Sequence, residues 1–574
     1  MDKKQIAKIL KEMAILLEIK GVNPFKVRAH ENAARSLEGL SDDLKDLVES
    51  GEITNIRGIG KGIADKISML LNEGQLPEYE ELKSSVPPGL IEMAKIPGVG
   101  PKKVKAVWDE LGITTVEELE EACKADRLSG MKGFGARTQE KILENIEMMK
   151  KFKDRYLLSE AKLEAEVLRD ALKDFSGVIR LEIAGSLRRW KETVKDIDLV
   201  VSAEDKNRMP IMNHFTSLPA VENLIGKGET KSSVVLKSGI NADLRIVTDS
   251  EFPYTLHHFT GSKEHNVAMR QHAIKKGLKV SEYGLFKGEK LIACKEEADI
   301  FKKLGMAYIP PELRENYGEL EAALEDSLPK LVESKDIRGI IHTHTRWSDG
   351  VHSVEEMAQA CQKMGYEYLV ISDHSKAAAY ANGLSEERVK QQHEEIDEVN
   401  DKLKKFRVLK GIECDILGDG QLDYSDEVLS TFEVVIVSIH SRFNMSEAEA
   451  TKRIIKAMEN PVVAILGHPT GRLLLSRDGY PLNQHDVIDA AAELGVAIEI
   501  NANPQRLDLD WRFCKYAIEK GVMLSINPDA HKIDGIADME YGIGIARKGW
   551  VSKENVLNTS SVDRVLKFVQ KRRK

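Results

Sequence analysis

The chain has 574 residues, 42% of them hydrophobic and 31% charged, with a formal net charge of -9. That length exceeds what one core organises and, at roughly 100–200 residues per domain, reads as three to five units. The acidic balance argues against a simple basic nucleic-acid binder, unless part of the chain is an acidic metal site or the grip on nucleic acid comes from backbone amides. No apolar run approaches the ~20 residues that span a bilayer.

The opening stretch MDKKQIAKILKEMAILLEIK is amphipathic and lacks the continuous apolar core of a signal peptide, so a cytoplasmic location is expected. The five cysteines, Cys123, Cys294, Cys361, Cys414 and Cys514, are scattered, and none forms a C-x-x-C pair. They read as isolated buried thiols in a reducing compartment.

The first 150 residues read as short helices broken by glycine pairs. Gly58-Ile59-Gly60, Gly98-Val99-Gly100 and Gly133-Phe134-Gly135 each precede a predicted helix. Glycine permits the positive φ of a tight turn and lets a phosphate approach the backbone. The helix that follows offers free N–H groups and a positive dipole end. The apolar residue between the glycines can anchor each hairpin in a core. Three such hairpins resemble the helix-hairpin-helix motif, which holds the DNA backbone without reading sequence. Lys66 falls about one turn into the helix after the first hairpin, where a lysine of lowered pKa could attack an abasic sugar; a surface lysine near phosphates is the plainer reading.

From about residue 178 the pattern turns to strands. Asp196 and Asp198 share one face of the strand DIDLVV, because strand side chains alternate. The strand NADLRIV adds Asp243. Carboxylates so placed repel one another unless cations lie between them, which suits Mg²⁺ or Mn²⁺ in phosphoryl transfer. With Gly185-Ser186 upstream, this order resembles the nucleotidyltransferase palm and, within it, the family X DNA polymerases, over about residues 1–317. The resemblance implies that Gly185, Ser186 and Arg189 hold a triphosphate. It implies that Asp196, Asp198 and Asp243 bind two metals, with Asp243 the base for the primer hydroxyl. His258, Phe259 and Gly261 would lie in the nucleotide-selecting turn, Asn266 and Arg270 would contact the new base pair, and Lys66 matches the lyase lysine. His258 stands where the family has tyrosine, which bears on exclusion of a ribose 2′-hydroxyl.

Residues 319–335 read as an acidic helical connector. Beyond residue 336, seven apolar strands alternate with helices, and strand after strand ends in a possible ligand: His342 and His344, Asp373 and His374, Glu413, His440, His468, and Asp529 and His531, with Asp349 nearby. Functional groups at strand C-termini are what a β/α barrel predicts, here distorted by having seven strands rather than eight. Mixed nitrogen and oxygen donors suit Zn²⁺, Mn²⁺ or Fe²⁺, and an ion cluster of that kind hydrolyses phosphoesters. The pattern resembles the PHP (polymerase and histidinol phosphatase) domain, whose nine ligand positions match His342, His344, Asp349, His374, Glu413, His440, His468, Asp529 and His531. Arg442 and Arg472 are candidates to hold a substrate phosphate.

The expected architecture is therefore multidomain, α+β and α/β. It comprises a lyase-like helix-hairpin-helix domain (1–80), a second helical DNA-binding subdomain (81–150), the palm (151–249), a nucleotide-selection subdomain (250–318), a linker (319–336) and the PHP domain (337–574). The resemblance implies a nucleoid-associated, monomeric repair polymerase. It would act on gapped or damaged double-stranded DNA with dNTPs and carry a 3′–5′ exonuclease, and an AP endonuclease activity is a further implication. The alternatives are a phosphatase of small phosphate esters and a DNA-end-binding scaffold.

Overall fold

A computed structural model describes every residue except 2, 39, 41, 42, 57 and 574, and omits the side chains of 4, 38 and 151. It forms two compact units, Met1–Lys153 and Asp154–Lys574. Among the described residues no helix is long and apolar enough to cross a membrane. All five cysteines are free and buried.

The first unit is helical. Its three glycine hairpins lead into the helices Lys61–Glu73, Pro101–Leu111 and Ala136–Lys151. Ile59, Val99 and Phe134, each between two glycines, are buried in one core with Ile67, Leu90 and Val104. The hairpin tips are thereby fixed by packing rather than by long side-chain bonds.

The second unit begins with a five-stranded sheet in the spatial order Arg180–Ile183, Asp196–Ser202, Asn241–Val247, Lys231–Leu236, Val221–Lys227. Ile197, Leu199 and Val201 pack with the helices Leu158–Lys173 and Asp205–Thr216. By alternation, Asp196 and Asp198 lie on the opposite face. The helices Phe252–Thr260 and Lys263–Lys275 follow, then a three-stranded antiparallel sheet and the helix Glu297–Lys303. These share a separate core around Tyr254, Met269 and Phe301.

The expected helical connector needs correction. Its α-helical part is limited to Glu319–Leu324, with a short 3₁₀ turn at Ser334–Asp336. Leu320, Ala323 and Leu331 belong to the same core as Phe301. Glu319 is fully buried and accepts hydrogen bonds from the Asn316 and Tyr317 backbone N–H groups, with the His265 imidazole at 2.8 Å. Apolar residues spaced along the segment tie it down, and the acidic composition hid them.

The chain ends in a seven-stranded parallel sheet whose spatial order follows sequence order: Gly339–Thr343, Tyr368–Ile371, Arg407–Asp415, Val434–Ser438, Val463–Leu466, Ala497–Asn501 and Leu524–Asn527. Nearly all the strand residues are buried, as in sheets covered on both faces. The sheet curls into a nearly closed barrel. An isolated bridge between Thr343 and Ala530 joins the ends of the first and last strands, and the His344 N–H donates to the Ala530 carbonyl at 2.9 Å.

Candidate active sites and nucleic-acid interface

In the first sheet the parallel register sets Asp198 directly beside Asp243. A cleft of about 390 Å³ is lined by Gly185, Ser186, Arg189, Asp196, Asp198, His258, Phe259, Gly261, Asn266 and Arg270, together with Ser262, Lys263 and Val267. Gly185 has φ +64°, and a Cβ there would lie 2.2 Å from Asp198 Oδ2, so only glycine lets the loop rest on that carboxylate. Burial, then the neighbouring Asp196 and Asp243, push Asp198 up to about 7. Burial and then Asp243 also raise Asp196. Carboxylates that resist ionisation together form a donor set that a divalent cation fits. The Lys231 ammonium lies 2.6 Å from Asp243 Oδ2 and supplies positive charge there.

Around the cleft, Asn266 Nδ2 donates to the His258 carbonyl at 2.7 Å. The Arg245 guanidinium sits 3.8 Å over the Phe259 ring. Arg189 donates from Nε to Glu315 at 3.0 Å and from Nη1 to the Thr260 carbonyl.

In the barrel, all nine histidine and carboxylate positions singled out by the sequence fall into overlapping groups whose ligand atoms lie within 4.8 Å of one another. These are His344, Asp349, His374 and His531; His342, Glu413 and His468; His342, His344 and Asp529; and His374, Glu413 and His440. Glu413 is fully buried and faces five imidazoles, the farthest being His344 at 3.7 Å from Oε2. Its Oε2 lies 3.3 Å from His342 and 3.0 Å from His374, and its Oε1 lies 2.8 Å from His468 and 3.2 Å from His440. His342 Nε2, His374 Nδ1 and Glu413 Oε2 are buried without a hydrogen-bond partner. Buried orphans with convergent nitrogen and oxygen donors are what a cluster of transition-metal ions requires.

Carboxylates behind the imidazoles orient them. Glu499 Oε1 is 2.8 Å from His342 Nδ1, and its Oε2 accepts the His468 N–H at 2.8 Å. Asp415 Oδ1 is 3.2 Å from His440 Nδ1. Against a burial penalty, Glu413 and Asp415 push His440 up to about 10. Against the same penalty, Asp349 and Asp529 push His531 up to about 9. Burial, then His531 and His374, lower His344 to about 3. The metal-free cluster thus keeps protons on some imidazoles to balance its carboxylates.

In the helical unit, Gly58, Gly98 and Gly133 have φ of +95°, +82° and +90°, and Gly60, Gly100 and Gly135 are the N-caps of the three helices. A Cβ on Gly60, Gly98, Gly100 or Gly135 would meet no atom within 4 Å, so the backbone there is open to approach. Lys66 is ion-paired with Glu78.

Two expectations change. Arg472 donates to the carbonyls of Arg506 and Leu507 and to Asp510, so its hydrogen bonds hold loops together rather than wait for a phosphate. Asp373, at a strand end like the ligands, accepts from Thr345, Ser348 and Gln392 and shapes the loop carrying Asp349. Sequence reasoning passed over Lys231, Asp415, Glu499 and Arg506, the last with its Nε 3.4 Å from Asp529. Asp415 ends its strand and Glu499 sits mid-strand among apolar residues, and those positions were the available signal.

The sequence matches a helix-hairpin-helix domain over residues 1–76, a SAM-like helix-hairpin-helix tandem over 90–147, a DNA polymerase beta thumb over 255–315 and a PHP domain over 341–503. It is 42% identical, over the full length of both chains, to the DNA polymerase/3′-5′ exonuclease PolX of Bacillus subtilis. Over 41% of the chain and 91% of the relative, it is 29% identical to a probable phosphatase of Caldanaerobacter subterraneus. Over 54% of the chain and 56% of the relative, it is 24% identical to DNA polymerase lambda of Rattus norvegicus.

Proposed function

Since the chain belongs to the family X DNA polymerases that carry a PHP domain, we propose that it fills short gaps in double-stranded DNA from dNTPs and removes nucleotides from 3′ ends at its second site. One observation carries this reading: a carboxylate triad beside a nucleotide-sized cleft and a separate histidine-rich cluster coexist in one chain. Divalent ions, proposed as Mg²⁺ or Mn²⁺ at the palm and as Mn²⁺, Zn²⁺ or Fe²⁺ in the barrel, supply a lowered pKa to the attacking hydroxyl or water and neutralise charge on the phosphoryl oxygens.

In the palm, Asp196, Asp198 and Asp243 hold those ions, and Asp243 takes the proton of the primer 3′-hydroxyl. The new bond joins that oxygen to the α-phosphorus as the bond to pyrophosphate breaks. Gly185 and Ser186 bring backbone against the triphosphate, and Arg189 offers it a guanidinium. Phe259 and Gly261 shape the sugar side of the pocket, where His258 replaces a tyrosine, while Asn266 and Arg270 meet the base pair. In the barrel, the nine ligands bind the ions, and Glu499 and Asp415 keep His342 and His440 in the ligating tautomer. The glycine hairpins hold the DNA backbone, with domain limits as drawn from the sequence. The chain acts as a monomer in the cytoplasm, at the nucleoid.

The likeness of 41% of the chain to a probable phosphatase leaves room for a second reading, in which we take the substrates to be small phosphate esters. Both are tested on a one-nucleotide gapped duplex in Mn²⁺, with and without dNTPs. Extension should vanish only in Asp196→Ala and 3′ shortening only in His342→Ala. Extension surviving in Asp196→Ala removes the palm assignment. A wild type that never shortens DNA but releases phosphate from small esters favours the second reading.

A further inference from the structure

Helix Met539–Lys548 lies after the last barrel strand, yet its end reaches the backbone of Arg189, a residue that lines the palm cleft. Lys548 is fully buried. Its Nζ donates to the Arg189 carbonyl at 2.9 Å, to the Glu315 carboxylate at 2.6 Å and to the Glu312 carbonyl at 3.4 Å. The same Glu315 oxygen accepts Arg189 Nε at 3.0 Å, and Lys191 lies 3.3 Å from the other oxygen. One carboxylate thus gathers three cations, and one of them comes from the barrel's helix. The residue after Arg189, Trp190, has φ +55° and packs so closely on this helix that a Cβ on Gly544 would lie 2.1 Å from its ring.

A fully buried lysine is costly to desolvate, and an apolar residue of similar size often serves stability as well or better. Burial pulls Lys548 down to about 8, against the attraction of Glu315. Stability alone therefore gives a weak account of it. The two shorter of its three hydrogen bonds end on the Arg189 carbonyl and on the carboxylate that aims Arg189, and the third ends on the Glu312 carbonyl. Arg189 spends Nε and Nη1 on protein acceptors, and Nη2 has no hydrogen bond among the described residues.

We propose that Lys548, contributed by the phosphoesterase part of the chain, is a positioning residue for the polymerase: through Glu315 and the Arg189 carbonyl it fixes the guanidinium that meets the incoming triphosphate. This rests on the reading of Arg189 as a triphosphate contact. The dNTP site is then a composite of both catalytic parts.

The test uses the full chain and one-nucleotide gap filling. Lys548→Met should raise the KM for dNTP about tenfold, the worth of one charge-assisted hydrogen bond, with kcat and 3′ shortening changed by less than about twofold. In an Arg189→Ala background the added effect of Lys548→Met should disappear, because the lysine acts through that arginine. An unchanged KM in folded Lys548→Met, or an equal fall in both activities, overturns the proposal. An unchanged KM in Arg189→Ala alone overturns the underlying reading instead. Should Lys548→Met fail to fold, Glu315→Gln, which keeps the shape and removes the charge, is expected to raise the same KM; a wild-type KM there also overturns the proposal.

Discussion

The palm and the barrel hold metal ligands in opposite ways. The palm places three carboxylates on two neighbouring strands beside an open cleft, with Lys231 ion-paired to one of them. The barrel buries histidines and carboxylates from its strand ends, and Glu413 by itself faces five imidazoles. The first arrangement suits ions that arrive with a nucleotide and leave with pyrophosphate. The second suits ions that stay, because its orphaned donors have no other means of satisfaction. The difference teaches that one phosphoryl chemistry can be built on an exchangeable or on a resident cofactor, according to how far the ligands are desolvated.

The sharpest way to break that comparison is to remove one carboxylate from each site. Asp198→Ala should lower gap filling by about a thousandfold or more and leave 3′ shortening intact. Glu413→Gln should do the reverse, measured on the same labelled duplex. Loss of both activities in either variant would mean the two sites do not work separately.

Chelation sharpens it further. Dialysis against a strong chelator should lower the melting temperature of the barrel by several degrees, since ligands bound to the native state add stability by mass action. Mg²⁺ added back should restore extension at once but not the melting temperature. Calorimetry with both activity assays would check this.

Protons give a third measure. His440 and His531, raised to about 10 and 9, are protonated in the metal-free barrel at neutral pH. The stability they contribute is complete below the unfolded value near 6.5 and is lost as pH rises through those folded values. Metal loading at pH 7.5 should therefore release protons, read by titration calorimetry in buffers of different ionisation heat. In the palm the sign is the same but the cause differs, because burial and like charges there disfavour the ionised form. Asp198, raised to about 7, costs the metal-free fold stability as pH climbs above about 4. Its affinity for Mg²⁺ should rise with pH until it is ionised.

The smallest expected effect lies in the helical unit. Gly98→Ala forces a side chain to φ +82° and should cost about 1 kcal/mol, with weaker binding of gapped DNA and unchanged kcat.

Much of this was legible in the sequence because its signals are local. The glycine pairs, the alternating Asp196 and Asp198, and the histidines at strand ends each follow from a period of a few residues. What stayed hidden is held by distance along the chain. Glu315 meets Arg189 across 126 positions and Lys548 across 233, and Glu499 meets His342 across 157. Nothing near Lys548 marks it, since its partners gather only when the fold is complete. Arg472 misled for the same reason: its position after His468 suggested a phosphate, whereas its partners lie 34–38 residues onward. The segment after residue 318 misled through composition, its acidic residues outweighing Leu320, Ala323 and Leu331.

The barrel's closure has a mechanical meaning. Its first and last strands meet at a single bridge, Thr343 to Ala530. His342 and His344 flank one side of that seam, and Asp529 and His531 the other. An ion shared by those residues would act as a rivet through the join, so a cofactor bound there would also fasten the scaffold that holds it. A barrel stripped of metal should unzip there first, with amide exchange quickening along Gly339–Thr343 and Leu524–Asn527 before it reaches the middle strands.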